Sequence, residues 1–152
     1  MNPPVDLSWI DLEDFRFLEW VALRQVILRD PIGLLYTGAD LEAEREERHL
    51  IAEVTGKIVG GLAVKVLTPA RWKIRQVAVA GSEQGKGLGA FLMEHTMAVA
   101  EEESVRELVL HSRETVIPFY EKLGFVVVGE PFEEVGLPHR RMEITLPFVS
   151  SA

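Results

Sequence analysis

Val77-Ala78-Val79-Ala80-Gly81-Ser82-Glu83-Gln84-Gly85-Lys86-Gly87-Leu88-Gly89-Ala90 is the stretch from which the rest of the chain can be read. An apolar, β-branched run enters it, an apolar helical run leaves it, and Gly85, Gly87 and Gly89 alternate between them. Glycine tolerates positive φ and lets a backbone approach a ligand closely. A helix start adds unpaired N–H groups and a partial positive charge. Together these make an anion site suited to a pyrophosphate. The plainer alternative is a tight strand-to-helix turn that binds nothing. Gly85-x-Gly87-x-x-Ala90 also satisfies the dinucleotide fingerprint of doubly wound sheets. Two observations oppose that reading: the next strand-like run ends at His111-Ser112 without a ribose-binding carboxylate, and too little chain follows for a doubly wound sheet. A P-loop is excluded because Lys86 is followed by Gly87 rather than Ser or Thr.

Working outward, residues 49–54 and 58–67 are apolar runs separated by Thr55-Gly56-Lys57, a hairpin signal, and residues 74–79 form the next strand. Residues 5–9 alternate as a short strand does. In residues 13–29, Phe15, Leu18, Ala22 and Val26 recur at helical spacing and predict the apolar face of a helix, which Pro31 and Gly33 stop. The charge-dense residues 40–48 predict a solvated helix or loop. Beyond the glycines, residues 88–103 predict a largely buried helix, with His95 on its apolar stripe beside Leu88, Leu92 and Val99. Residues 107–111 predict a strand. Residues 115–123 predict a short helix with Val116, Phe119, Tyr120 and Leu123 on one face, and Gly124 stands where a C-cap glycine belongs. Residues 125–128 and 141–146 predict the last strands, joined by an acidic loop holding Gly136 and Pro138. This order predicts one α/β domain over residues 1–152, a mixed sheet with helices on both faces.

Composition narrows the function classes. The 152 residues are 47% hydrophobic and 26% charged, the mix of an ordinary globular domain. The chain has no cysteine, which excludes disulfides, thiolate metal sites and a cysteine nucleophile. The four histidines lack metal-ligand spacing, so no metal is expected. No apolar run approaches a membrane span, and Met1-Asn2-Pro3-Pro4 does not open a signal peptide, so a cytoplasmic protein without a membrane partner is expected. A formal charge of −8 opposes nucleic-acid binding and leans toward an amine-bearing partner.

Gln84-x-x-Gly87-x-Gly89, set behind Val77-Ala78-Val79 and followed by Phe119-Tyr120-Glu121-Lys122-Leu123-Gly124-Phe125, resembles the GNAT N-acetyltransferase superfamily. That family's loop reads Arg/Gln-x-x-Gly-x-Gly/Ala, with Lys86 here in a commonly basic slot. Its later segment often reads Phe/Leu-Tyr-Glu-Lys-Leu-Gly-Phe, and a helix and a strand separate the two, as here. The resemblance spans essentially the whole chain. One departure is Arg113, which stands where many members carry an Asn, seven residues before Tyr120. Phe132-x-Glu134-x-Gly136-Leu137-Pro138-His139, and the stretch from Leu23-Arg24 to Gly33-Leu34, are similar to an ElaA-like branch.

The resemblance implies a GNAT-like fold, a mixed and largely antiparallel sheet of about six to seven strands with helices on both faces. It implies acetyl-CoA as co-substrate and a small-molecule or peptide amine as acceptor, with direct attack in a ternary complex. The alternatives are a non-catalytic acetyl-CoA or CoA-binding sensor and a Rossmann-like nucleotide binder. The oligomeric state stays open, a homodimer included. By the resemblance, the backbone of Val77, Ala78 and Val79 meets the pantetheine arm. Gln84, Gly85, Lys86, Gly87, Leu88 and Gly89 hold the pyrophosphate. Tyr120 contacts the cofactor and is the general acid for the departing thiolate; the plainer reading of Tyr120 is a packed aromatic. His139, Glu134 and His111 are the candidates for deprotonating the amine, His139 from a loop before the last strand. Arg24 and Arg29 either face the acceptor or are solvated helix arginines.

Overall fold

The computed structural model describes residues 3–148. Met1 and Asn2, part of the segment excluded as a signal peptide, lie outside the described residues. Seven strands make one sheet: β1 (Asp6–Ile10), β2 (Arg48–Val54), β3 (Lys57–Thr68), β4 (Arg71–Val79), β5 (Glu107–Arg113), β6 (Val126–Glu134) and β7 (Leu137–Thr145). Their order is β1-β2-β3-β4-β5-β7-β6. The β4–β5 pair is parallel, whereas β1–β2, β2–β3, β5–β7 and β6–β7 are antiparallel. A parallel pair needs a long crossover, and the helix α3 (Leu88–Glu102) lies in it. The other helices are α1 (Phe17–Arg24), α2 (Gly38–Glu42) and α4 (Ile117–Lys122). The mixed, mainly antiparallel sheet expected from the sequence is therefore present with seven strands.

The chain divides into two compact units, one formed by residues up to Lys65 with Gln76–Met93, the other by Val66–Arg75 with residues from Glu94 onward. In the first unit the β2–β3 hairpin turns on Thr55 (φ 52°) and Gly56 (φ 77°). Two successive positive φ values are the two-residue turn whose twist matches its strands. Gly60 and Gly61 follow on β3, and successive residues of a strand face opposite sides of the sheet. A Cβ on Gly61 would lie 2.8 Å from the Trp20 ring of α1, and one on Gly60 would lie 3.1 Å from Leu88 and 3.3 Å from Leu92 of α3. One glycine thus admits a helix to each face.

The inward side of α1 is not the predicted one. Phe17, Trp20 and Arg24 are buried, while Phe15 is 91% exposed, Leu18 72% and Val26 58%. Both sets share the helical period and stand roughly half a turn apart, so periodicity could not choose between them. The slot at Gly61 admits an indole and decides it: Trp20 packs with Phe17 against Ile10, Ile51, Ile58 and Ala78. The predicted helix also ends early, passing into a wide π turn (Gln25–Arg29) and a 3-10 turn (Asp30–Ile32) that closes on Gly33 at φ 70°. The charge-dense residues 40–48 are likewise not uniformly solvated, since Glu44 and Glu47 are buried.

In the second unit the expected acidic loop is a β-hairpin. β6 reaches Glu134, β7 begins at Leu137, and the turn uses Val135 (φ 48°) and Gly136 (φ 77°). The register shifts between Val128 and Phe132, next to Gly129 at φ 77°. β6 is the outermost strand, and Pro131 with its glutamates suits an edge that must not pair further. α4 ends as predicted: Gly124 takes φ 102°, Phe125 N–H donates to Tyr120 O and Gly124 N–H to Glu121 O. This is a Schellman closure with Phe125 folded against Tyr120.

Candidate active site

Every cofactor-binding residue expected from the sequence except Tyr120 lies in the first unit. The ladder of β4 with β5 covers Arg71 to Ile74; Gln76 then takes φ 58°, a left-handed value rare for a side-chain-bearing residue. Val77, Ala78 and Val79 lie outside that ladder. Gln84 turns back so that its Nε2 donates to Val79 O at 3.0 Å, closing the turn on the end of β4. Gly85 stands at φ 80° and Gly87 at φ 83°, each with open space where a side chain would be. Phe91 N–H is the first to bond back, to Gly87 O at 3.0 Å. Helix geometry leaves the earlier N–H groups of Leu88, Gly89 and Ala90 without intrahelical acceptors. Lys86 is exposed, 3.6 Å from Glu83, and borders with Gly87, Leu88 and Phe91 a cleft of about 530 Å³. The result is a bare, left-handed backbone at a helix start, and it can bind an anion through main-chain donors.

The expected catalytic side chains lie in the second unit, where the strand register brings three of them together. β5 pairs with β7 so that Arg113 opposes His139, and β7 pairs with β6 so that His139 opposes Phe132. His111 Nδ1 lies 3.0 Å from Glu134 Oε1, and His139 Nε2 lies 3.7 Å from Glu134 Oε2. The Phe132 ring stands edge-on to His111 and tilted over His139. A carboxylate only accepts, so a neutral His111 carries its proton on Nδ1 and keeps the Nε2 lone pair. His139 is no exposed loop residue: it sits in β7, 3% exposed, with Nδ1 donating to Leu137 O at 2.9 Å. Partial burial pushes the Glu134 carboxyl up, but the His111 hydrogen bond and nearby His139 and Lys73 bring it below its ordinary value.

Tyr120 is buried on α4, edge-on to Phe119 and Phe125. Its hydroxyl bonds to no acceptor among the described residues. Burial pushes the phenol well above its ordinary pKa, so it stays protonated. Among the described residues no group of His, Asp and Glu could hold a metal ion, and no helix is long and apolar enough to cross a membrane.

A second polar cluster, in the first unit, was not legible as one. Arg24, 0% exposed, forms a bidentate pair with Glu44 at 2.8 and 2.7 Å. The Trp20 indole N–H donates to His49 Nδ1 at 3.1 Å, and His49 Nε2 faces Glu44 Oε1 at 3.7 Å. Tyr36 and Gln76 complete the surroundings, the phenol donating to Gln76 Oε1 at 2.6 Å. The one sequence signal for Gln76 was a polar residue interrupting the apolar end of β4.

Comparison with known proteins agrees with this frame. Residues 37–146 match the family model described as an acetyltransferase (GNAT) domain. The 5-NmdU N-acetyltransferase of Pseudomonas phage PaMx11 is 35% identical over 89 residues, 57% of this chain and 63% of that protein. The chain spans less than two thirds of the length of the curated relatives it matches, 62% and 63%. Escherichia coli ElaA is similar in fold, with a TM-score of 0.76 and 20% identity over 92% of this chain and 99% of that one. An aminoglycoside 6'-N-acetyltransferase complexed with coenzyme A has a TM-score of 0.77 at 15% identity, covering 95% of this chain and 99% of that one. A glycine turn open at a helix start, a splayed β4 and a family match over most of the chain converge: this protein belongs to the GNAT acetyltransferase family.

Proposed function

We propose that this acetyltransferase uses acetyl-CoA and acetylates a primary amine by direct attack within a ternary complex. The observation that carries the reading is the pair Gly85 and Gly87, left-handed and open to solvent ahead of α3. A pyrophosphate fits such a backbone, and a structure of the same fold holds coenzyme A. Val77, Ala78 and Val79 are suited to meet the pantetheine arm, because a strand edge outside a ladder offers its N–H and C=O groups. Acetyl-CoA would supply a thioester whose acyl carbon is open to an amine.

The chain's own groups then handle the protons. His111 Nε2, oriented by Glu134, takes one from the acceptor's ammonium, directly or through water. His139 Nε2 stands 3.7 Å from the second Glu134 oxygen, a charge partner for it only when the ring is protonated on both nitrogens. As the nitrogen bonds the acyl carbon and the carbon–sulfur bond breaks, Tyr120 gives its proton to the leaving sulfur. It regains one from the second proton that the nitrogen loses. Amine and thioester thus become amide and thiol, with one proton released when the acceptor enters as an ammonium. Chain elements that only bound the cofactor would need no such proton carriers.

Thiol release from acetyl-CoA over a panel of primary amines tests the reading. Tyr120→Phe should keep acetyl-CoA affinity by calorimetry and lower kcat roughly 10²-fold, the scale of a lost general acid. Acetyl-CoA binding without thiol release across the panel would leave a sensor rather than an enzyme.

A further inference from the structure

Tyr36 is held on every side. Its backbone N–H donates to Gln25 Oε1 at 3.1 Å, and Gln25 Nε2 fastens Asp30 and Leu34 O at 2.7 Å each. The Arg24 guanidinium lies 4.6 Å from its ring centroid and that of Arg29 4.3 Å. Its hydroxyl fixes the Gln76 carboxamide through Oε1. That last bond decides which end of the amide is spent. The acceptor oxygen is satisfied, and the two N–H donors of Gln76 Nε2 meet no acceptor among the described residues. Gln76 stands directly before Val77 on β4, at φ 58°.

Arg29 is in the same condition. It ends the π turn, half-buried, and no carboxylate among the described residues comes within ion-pair distance of it. Asp40, which feels its charge, is committed to the capping box of α2 with Thr37. Arg24 differs: Glu44 takes its terminal nitrogens, and only its buried Nε is without a partner. The cluster around Tyr36 therefore presents unspent donors on Gln76 and Arg29, beside an aromatic ring. Donors in excess around a planar guanidinium are the means by which carboxylates are held.

We propose that Arg29 and Gln76, set by Tyr36, bind an anionic group of the acceptor, a carboxylate carried by the molecule whose amine is acetylated. The proposal rests on the acetyl-transfer reading and adds the substrate class, an amino acid or a similar amino-carboxylate. Gln76 precedes the strand segment assigned to the pantetheine arm, so a carboxylate held there fixes the acceptor beside the thioester end. Tyr36 is a positioning residue in this scheme, Gln76 and Arg29 the binding ones.

The test uses matched acceptors: an α-amino acid, its carboxamide and its decarboxylated amine. The wild type should favour the amino acid at least tenfold in kcat/KM, mainly through KM. Arg29→Ala and Gln76→Glu should erase that preference by raising KM for the amino acid, bringing the three acceptors to similar kcat/KM, and Tyr36→Phe should weaken it. Equal use of amino acid and carboxamide, or variants that keep the preference, would overturn the proposal. A second readout is independent of transfer. Titration with N-acetylalanine, against its carboxamide, should move the NMR signals of the Gln76 side-chain amide and Arg29 Nε–H. That response in a protein that releases no thiol sinks the transferase reading and sustains the anion site. Thiol release with no carboxylate-specific response sinks the anion site alone.

Discussion

Each unit carries a polar cluster, containing a carboxylate and a histidine, that joins distant parts of the sequence, and these two are finished differently. Around Arg24 and Glu44 the main bonds are spent on each other: both residues are buried and the pair is bidentate. Around Glu134 the bonds are only half spent. Glu134 is 45% exposed at its side chain, His111 keeps one ring nitrogen free of it, and the His139 contact is long at 3.7 Å. A group whose partners are saturated holds the fold; a group with a lone pair left toward solvent can exchange a proton. The contrast separates a saturated polar cluster from one with bonding capacity left, although each contains a carboxylate and a histidine.

Removing one partner of the closed pair should have the largest effect. Glu44→Ala leaves a buried guanidinium uncompensated and should lower stability by roughly 3–5 kcal/mol, read as a fall in the urea midpoint at unchanged slope. Replacing both, Arg24→Met with Glu44→Leu, should restore most of that loss. A Glu44→Ala protein with the wild-type midpoint would erase the distinction.

The open cluster should respond in rate and not in stability. His111→Ala should lower kcat/KM for the amine roughly 10²-fold, the scale of general-base catalysis, and leave acetyl-CoA affinity alone. Unaltered amine kinetics would move the proton acceptor elsewhere. Glu134→Gln keeps the shape and removes the charge that orients the His111 imidazole, so about a tenfold loss with an altered pH–rate profile is expected. Its stability by urea unfolding should change by under about 1 kcal/mol, as for other exposed ion pairs. A loss of stability as large as that of Glu44→Ala would make the two clusters alike.

The smallest effect lies in acid. The folded Glu134 carboxyl is held below its ordinary 4.5, so its contribution is present above that value and fades as pH falls through the lower, folded one. His111→Ala removes the largest influence that lowers it. Urea midpoints should therefore decline less steeply below pH 4.5 in the variant than in the wild type.

Much of this protein was legible without coordinates, for a definable reason. The glycine turn is built from consecutive residues, and its chemistry resides in backbone that Gly85 and Gly87 free; local sequence carries local geometry. The Thr55-Gly56 turn, the Gly124 cap and most strands followed from the same short-range rules. The tail was harder, because glutamates on an exposed edge strand disguise its alternation as a loop. The inward face of α1 could not be read at all. Two apolar sets share one period, and the choice fell to Gly61 on a strand far along the chain.

The sequence by itself thus determined the order of elements, the open glycine turn and the family. Only the tertiary structure decided that Arg24 is buried and neutralised, that His111, Glu134 and His139 meet, and that Tyr36 spends the oxygen of Gln76 and leaves its nitrogen. The hydrogen-bonded pairs among them span 20 to 40 positions. Strand register and helix packing set them, and no short-range preference encodes either.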